Sequence, residues 1–306
     1  MPFAPSNIGI VGASGFVGSA LANSLVLEGE HGVRLFGRKV GKVADQDIQP
    51  LSSGSTMFEG LDTLVHLSGL TDSRASDGDL RRANTDLAVD MARAAATAKV
   101  KRFVFISSMA VYGRSAAHAI SPDMPLSPDN GYGRSKAAAE VAMARVADET
   151  GLELIILRPP MVYGRGSKGS FAALARLVRS GLPLPFKGAR GLRSFCSIGN
   201  LVSAMRHAID SAAPGSILIP ADPEDFDTPG LVRAMADAME RPVRLWRAPK
   251  PLLVAPLAMI GRAEMITSLF EPLRVDRSHW KGHGWRPVET GRQGVNAALE
   301  PLERAE

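Results

Sequence analysis

Asn7-Ile8-Gly9-Ile10-Val11-Gly12-Ala13-Ser14-Gly15-Phe16-Val17-Gly18 decides the fold. Its first half is a short apolar run, the pattern of a strand buried on both faces. The glycines then let the backbone turn tightly, and the spacing predicts a helix over 16–28. A strand, a glycine turn and a helix N-terminus make an anion cradle. The helix end offers unpaired N–H groups and a positive dipole end, and glycine lets a pyrophosphate come close. Strands predicted over 33–36, 63–67, 102–107 and 152–157 alternate with helices over 79–99 and 133–149. That alternation predicts an α/β fold, a doubly wound parallel sheet with helices on both faces. After Arg158-Pro159-Pro160 the texture changes. Proline and glycine become frequent, and helices near 170–180, 200–212, 229–240 and 289–299 are expected between irregular segments. Two units follow: a dinucleotide-binding domain over 1–160, with returning segments from about 190–220, and a smaller mixed α/β lobe over 161–306, mainly for substrate.

Bulk properties narrow the classes. With 306 residues, 45% of them apolar and 22% charged, the chain has the composition of an ordinary soluble globular protein. A net charge of +5 suits solvated helix arginines or an anionic ligand. No basic stripe is interleaved with aromatics, so nucleic acid is not an expected partner. The single cysteine, Cys196, permits no intramolecular disulfide and lies in the apolar alternation 195–198, where a buried strand thiol is expected. The apolar run 252–261 is interrupted by Pro256 and is too short to span a bilayer. No membrane insertion and a cytoplasmic location are therefore expected. His279 and His283 have no carboxylate or cysteine at ligand spacing, so no metal is expected. His66, inside an apolar strand, reads as a satisfied core histidine.

The chemistry is carried by Tyr132-Gly133-Arg134-Ser135-Lys136. Four residues apart at a helix start puts the phenol and the ammonium on one face. An adjacent ammonium is expected to lower the phenol pKa from about 10 toward the working pH. The tyrosine then exchanges a proton with a carbinol oxygen while a nicotinamide exchanges the hydride. Upstream, Ser107 and Ser108 end a predicted strand, with Ser108 placed to hydrogen-bond the same oxygen. The second strand ends in Gly37-Arg38-Lys39 with no carboxylate. A positive pair there favours the 2′-phosphate of NADP(H), with NAD(H) also allowed.

The glycine spacing of Gly12, Gly15 and Gly18, the serine segment and the Tyr-x-x-x-Lys pair resemble the extended short-chain dehydrogenase/reductases, the NAD-dependent epimerase/dehydratase group of nucleotide-sugar enzymes. The resemblance implies a Rossmann-like domain and assigns Ser108, Tyr132 and Lys136 as catalytic. It places the cofactor against Gly12, Ser14, Gly15, Phe16, Val17, Gly18, Arg38 and Lys39. Asp47 and Ile48 fall beside the adenine, and Leu67, Ser68, Gly69, Asn84, Ser107, Tyr132, Lys136, Pro159 and Val162 complete the cofactor cleft. Substrate would meet Ser108, Met109, Tyr132, Pro160, Tyr163 and Arg193, the last near a nucleotide phosphate. It also implies a homodimer through the 79–99 and 133–149 helices. Departures from the pattern are Pro160-Met161, where many epimerases carry an asparagine, Gly199-Asn200 in place of an acidic pair, and Arg38 in place of an aspartate.

Three functions follow as expectations. The first is a nucleotide-sugar 4-epimerase or 4-keto reductase. The second is an NADPH-dependent ketone or aldehyde reductase of the dihydroflavonol-reductase type. The third is a non-catalytic dinucleotide-binding regulator, against which the presence of both Tyr132 and Lys136 argues.

Overall fold

A computed structural model describes residues 6–300 apart from 30, 52–53, 73, 250, 252 and 255–263. The apolar run 252–261 thus lies largely outside the described residues. The strands are β1 (Asn7–Val11), β2 (Gly32–Gly37), β3 (Lys42–Val43), β4 (Gln46–Pro50), β5 (Thr63–His66), β6 (Arg102–Ile106), β7 (Glu153–Leu157), β8 (Met161–Tyr163), β9 (Arg193–Ser197), β10 (Ile217–Leu218) and β11 (Asp225–Phe226). Among the described residues the main sheet has eight strands in the order β10-β7-β6-β5-β1-β2-β4-β3. All its pairings are parallel except β3 with β4. The chain leaves β1 toward β2 and β4, then returns to β5 on the other side of β1. The crevice at the carboxyl ends of β1 and β5 is therefore the topological switch point, where such sheets bind ligands.

Burial explains why the strands read as continuous apolar runs. One sheet face sets Ile8, Ile10, Val65, Val104 and Ile155 against Leu21 and Leu25 of helix α1 (Phe16–Glu28), and against Leu201 and Met205 of a helix over Ile198–Asp210. The other sets Leu64, Phe103, Phe105 and Ile156 against Met91 and Ala95 of a helix over Leu87–Thr97, and Ala139, Met143 and Val146 of one over Gly131–Thr150. A third core gathers Tyr163, Phe171, Phe195, Phe226, Met235 and Val295 around the small sheet β11-β9-β8.

Two elements differ from expectation. The helix over 79–99 is interrupted at Arg82–Asp86 by a turn of π type, whose wider ring brings the buried Asn84 inward. The β3–β4 hairpin was not foreseen because its turn holds Ala44 and Asp45, at φ 51° and 60°, where glycine or asparagine is the usual signal.

The loop after β7 is tied to the Gly131–Thr150 helix by a buried ion pair. Arg158 Nε lies 3.1 Å from both Glu140 carboxylate oxygens, Nη2 donates to Oε2 at 2.6 Å, and Nη1 donates to the Tyr112 hydroxyl and, at 3.1 Å, to the Pro122 carbonyl. Both side chains are at most 5% exposed, so removing one leaves a buried charge unpaired. Glu140→Ala is expected to lower the unfolding free energy by about 3–5 kcal/mol, measured by urea denaturation. A loss under about 1 kcal/mol would show that the pair does not anchor the loop.

Candidate active site

At the switch point a cleft of about 810 Å³ opens between the main sheet and the third core. Its floor is the glycine turn. Gly12 has φ +92°, and a Cβ there would come 2.8 Å from the Ser68 backbone nitrogen, so only glycine lets the β1 and β5 loops touch. The N-terminus of α1 has no side-chain cap and no acidic residue in its first turn. Its N–H groups thus face the cleft without an internal anion.

The predicted residues Gly12, Ser14, Gly15, Phe16, Val17, Gly18, Leu67, Gly69, Ser107, Ser108, Met109, Tyr132, Lys136, Pro159, Pro160, Val162 and Arg193 all line this cleft. Their convergence has a local cause. Ser108 caps a 3-10 turn over Met109–Tyr112, its Oγ accepting from the Ala110 N–H at 3.1 Å. Asn130 caps the next long helix by accepting from the Gly133 N–H at 2.8 Å. A Cβ on Gly133 would collide with the Ala110 carbonyl, so glycine brings the two turns together and sets Tyr132 beside Ser108.

The electrostatics differ from expectation in one respect. Burial pushes the Tyr132 phenol up and a hydrogen bond with Ser108 opposes it, while Lys136 contributes no lowering. The reason is geometric. Lys136 Nζ donates to the Ile106 carbonyl at 2.8 Å and sits 4.6 Å over the Phe105 ring. Burial draws Lys136 down to about 8, opposed by Glu140 one helical turn on.

Other predicted residues lie elsewhere. Tyr163 is wholly buried in the third core, its hydroxyl 2.7 Å from Asp222 Oδ2 and 2.9 Å from the Gly291 carbonyl. Burial and then Asp222 push its pKa far up, so it braces the lobe and does not face the cleft. Asn84 is spent on Leu70, whose N–H it accepts at 2.7 Å and whose carbonyl it contacts at 2.9 Å, and on Ser135 Oγ at 2.9 Å. It holds the Leu67–Leu70 loop from behind. Arg38 and Lys39 are exposed beyond β2, with Ser14 near Gly37. Asp47 turns to solvent opposite Lys42 in the hairpin, and Ile48 is buried beneath Gly37. Ser68 lies against Gly12.

His66 is buried but not satisfied. It stacks at 6.0 Å on both Phe103 and Phe105, and neither ring nitrogen has a partner among the described residues. Burial, then Lys136, lowers its pKa to about 3, so it is neutral at working pH. His279 Nε2 accepts the Ile219 N–H at 3.2 Å, and Cys196 is buried in β9. The Gly199-Asn200 pair also has a structural use. Asn200 Nδ2 donates to Asp222 at 2.8 Å and to the Glu289 carbonyl at 2.9 Å, and its Oδ1 accepts from the Val288 and Glu289 N–H groups.

Arg193, also in the cleft wall, donates from Nη1 to the Arg114 and Glu271 carbonyls at 3.0 and 3.2 Å. Among the described residues no carboxylate pairs with it, and burial lowers it to about 10. Lys168, Thr71 and Arg114 also line the cleft and were not singled out by sequence. Lys168 could have been, because it sits in the glycine-rich segment Gly164-Arg165-Gly166-Ser167-Lys168-Gly169.

A sequence model described as the NAD dependent epimerase/dehydratase family matches residues 8–219. A UDP-glucose 4-epimerase of Vibrio cholerae is 32% identical over 98% of this chain and 97% of its own. A Stigmatella aurantiaca ketoreductase, named for 4-hydroxy-2-methyl-3-oxo-4-farnesyl-3,4-dihydroquinoline-1-oxide, is 29% identical over 70% of this chain and 67% of its own. The solved UDP-glucuronic acid 4-epimerase of Bacillus cereus in complex with NAD shares the fold, with a TM-score of 0.77 at 17% identity over 96% of this chain and 97% of that one.

The Lys136 shift makes folding depend on pH. The ammonium persists to about 10.5 in the unfolded chain but only to about 8 in the folded one. Between those values the unfolded chain binds more protons, so stability from this group rises with pH. Urea unfolding of wild type and Lys136→Met is expected to show a difference that is flat below pH 8 and shifts in favour of wild type from about 8 to 10.5. A flat difference throughout would contradict the shift.

Proposed function

The chain belongs to the NAD dependent epimerase/dehydratase family, and from that membership and the cleft geometry we propose that it is a nucleotide-sugar 4-epimerase. The observation that carries the reading is the cleft itself, which is lined by Ser108, Tyr132 and Lys136 together with Arg193, a cation with no carboxylate partner among the described residues. The Vibrio cholerae relative, named a UDP-glucose 4-epimerase, supports a UDP-hexose as substrate.

The residues present fit a nicotinamide dinucleotide. The uncapped α1 N-terminus suits its pyrophosphate, and Ser107 Oγ is buried without a partner among the described residues. Gly12, Ser14, Gly15, Phe16, Val17 and Gly18 would hold the phosphates, and Lys136, Pro159 and Val162 the nicotinamide end. When bound, the dinucleotide supplies reversible hydride acceptance at the sugar carbon. Arg38 and Lys39 support a preference for NADP(H), because a 2′-phosphate would meet two exposed cations and no carboxylate there. The Bacillus cereus protein holds NAD, so the cofactor released on denaturing the purified enzyme distinguishes the two.

Tyr132 takes the proton of the sugar hydroxyl and returns it, and Ser108 orients that oxygen. Burial raises Tyr132 in the free protein, and Lys136 acts chiefly as a positive anchor whose charge is available below about pH 8. Arg193, with only carbonyls as partners, gains a charge-assisted bond when a substrate phosphate arrives. The lobe over 161–306 would set the substrate's identity. The helices over 79–99 and 133–149 would pair two subunits, a role supported by Val141, which is 51% exposed on the second helix. A cytoplasmic location fits this substrate class, and no helix among the described residues is long and apolar enough to cross a membrane.

Net ketone reduction is the second reading, favoured by the Stigmatella relative. Two variants separate the possibilities. Tyr132→Phe is expected to lower UDP-glucose/UDP-galactose interconversion about 100- to 10,000-fold while still binding the dinucleotide. Full activity would favour a non-catalytic role for the tyrosine. Arg193→Ala is expected to raise KM for the nucleotide sugar about ten- to hundredfold with kcat little changed. An enzyme that ignores Arg193→Ala and reduces simple ketones would support the second reading.

A further inference from the structure

The chain over 154–209 carries nine lysines and arginines and no carboxylate, and the chain over 241–263 carries five and none. Folding brings parts of these stretches edge to edge. Leu184 pairs with Leu245 and Phe186 with Arg247, while Arg241 Nη1 donates to the Arg179 carbonyl at 3.1 Å. On these adjoining segments Arg176, Arg179, Lys187, Arg244 and Arg247 are exposed. Among the described residues none of the five has an ion-pair partner. The same segments also expose Leu182, 63%, Trp246, 43%, and Leu177, 42%.

Uncompensated like charges repel one another, and exposed leucine and tryptophan side chains cost hydration free energy. A partner that relieves both must be anionic and apolar. A second copy apposed through the same face would set cation against cation. A nucleic acid would meet the arginines but give the leucines no apolar contact. An anionic bilayer offers phosphate headgroups at one depth and acyl chains just beneath, with tryptophan favoured at the boundary. We propose that this face of the lobe docks peripherally on anionic lipid surfaces. The helix over Ser170–Arg179 begins beside the cleft-lining Lys168 and Gly169 and ends at this face. Its ten residues set the face about 15 Å from the cleft lip. The proposal is independent of which substrate the cleft takes.

The test is flotation of the full chain with phosphatidylcholine vesicles, with and without phosphatidylglycerol. Binding is expected only to the anionic vesicles, weakening as salt rises. Each cation removed should weaken it about fivefold, so the triple variant Arg179→Glu/Arg244→Glu/Arg247→Glu should lose a hundredfold or more. Triple replacement by lysine should bind as wild type, and nucleotide-sugar turnover in solution should persist in both. Trp246 gives a readout independent of variants, because Trp280 and Trp285 are buried and a blue shift on vesicle addition would report on it. No binding to anionic vesicles, equal binding to neutral ones, or unchanged binding by the glutamate variant would overturn the proposal. So would self-association abolished by that variant, or duplex DNA bound more tightly than the vesicles.

Discussion

The ion pair between Arg158 and Glu140 is the constraint on which the site depends. Arg158 directly follows β7, just before the prolines that wall the cleft, and Glu140 lies one helical turn beyond Lys136. One interaction thus fixes both the helix that carries Tyr132 and Lys136 and the strand end that closes the cavity around them. The Tyr112 hydroxyl and Pro122 carbonyl join the same network, so the turn capped by Ser108 is held by it too. Buried charges are costly unless fully paired, and here the guanidinium reaches a carboxylate, a hydroxyl and a carbonyl.

The sheet domain was legible because its signals are local. Apolar runs of strand length, a glycine turn and the four-residue spacing of Tyr132 and Lys136 depend little on distant contacts. The cleft walls from Gly12 to Pro160 follow from that reading. What was not legible depends on partners far away in sequence. Tyr163 looks like a site residue until Asp222 and Gly291 arrive to claim its hydroxyl. Asn84 reads as a cofactor-cleft residue, whereas its amide is consumed by Leu70 and Ser135. Glu140 gave no sign of its role, since a glutamate on an alanine-rich helix is ordinarily solvated.

The electrostatic correction has the same origin. Spacing alone puts an ammonium next to a phenol, but spacing does not say where the ammonium points. Lys136 reaches the Ile106 carbonyl and the face of Phe105, and its charge enters the His66 balance instead. A neutral histidine stacked between two phenylalanines thus lies in the buried core, beneath the Lys136 ammonium.

The division of the interior into separate cores has a consequence for how such an enzyme changes over time. Ser108, Tyr132 and Lys136 are set by packing on the main sheet, whereas Tyr163 of β8 and Phe195 of β9 pack into the third core. Replacements in that third core alter the cleft wall at Phe195 while leaving Ser108, Tyr132 and Lys136 in register. Substrate range can therefore drift by ordinary point substitution, and the reaction class is inherited nearly intact.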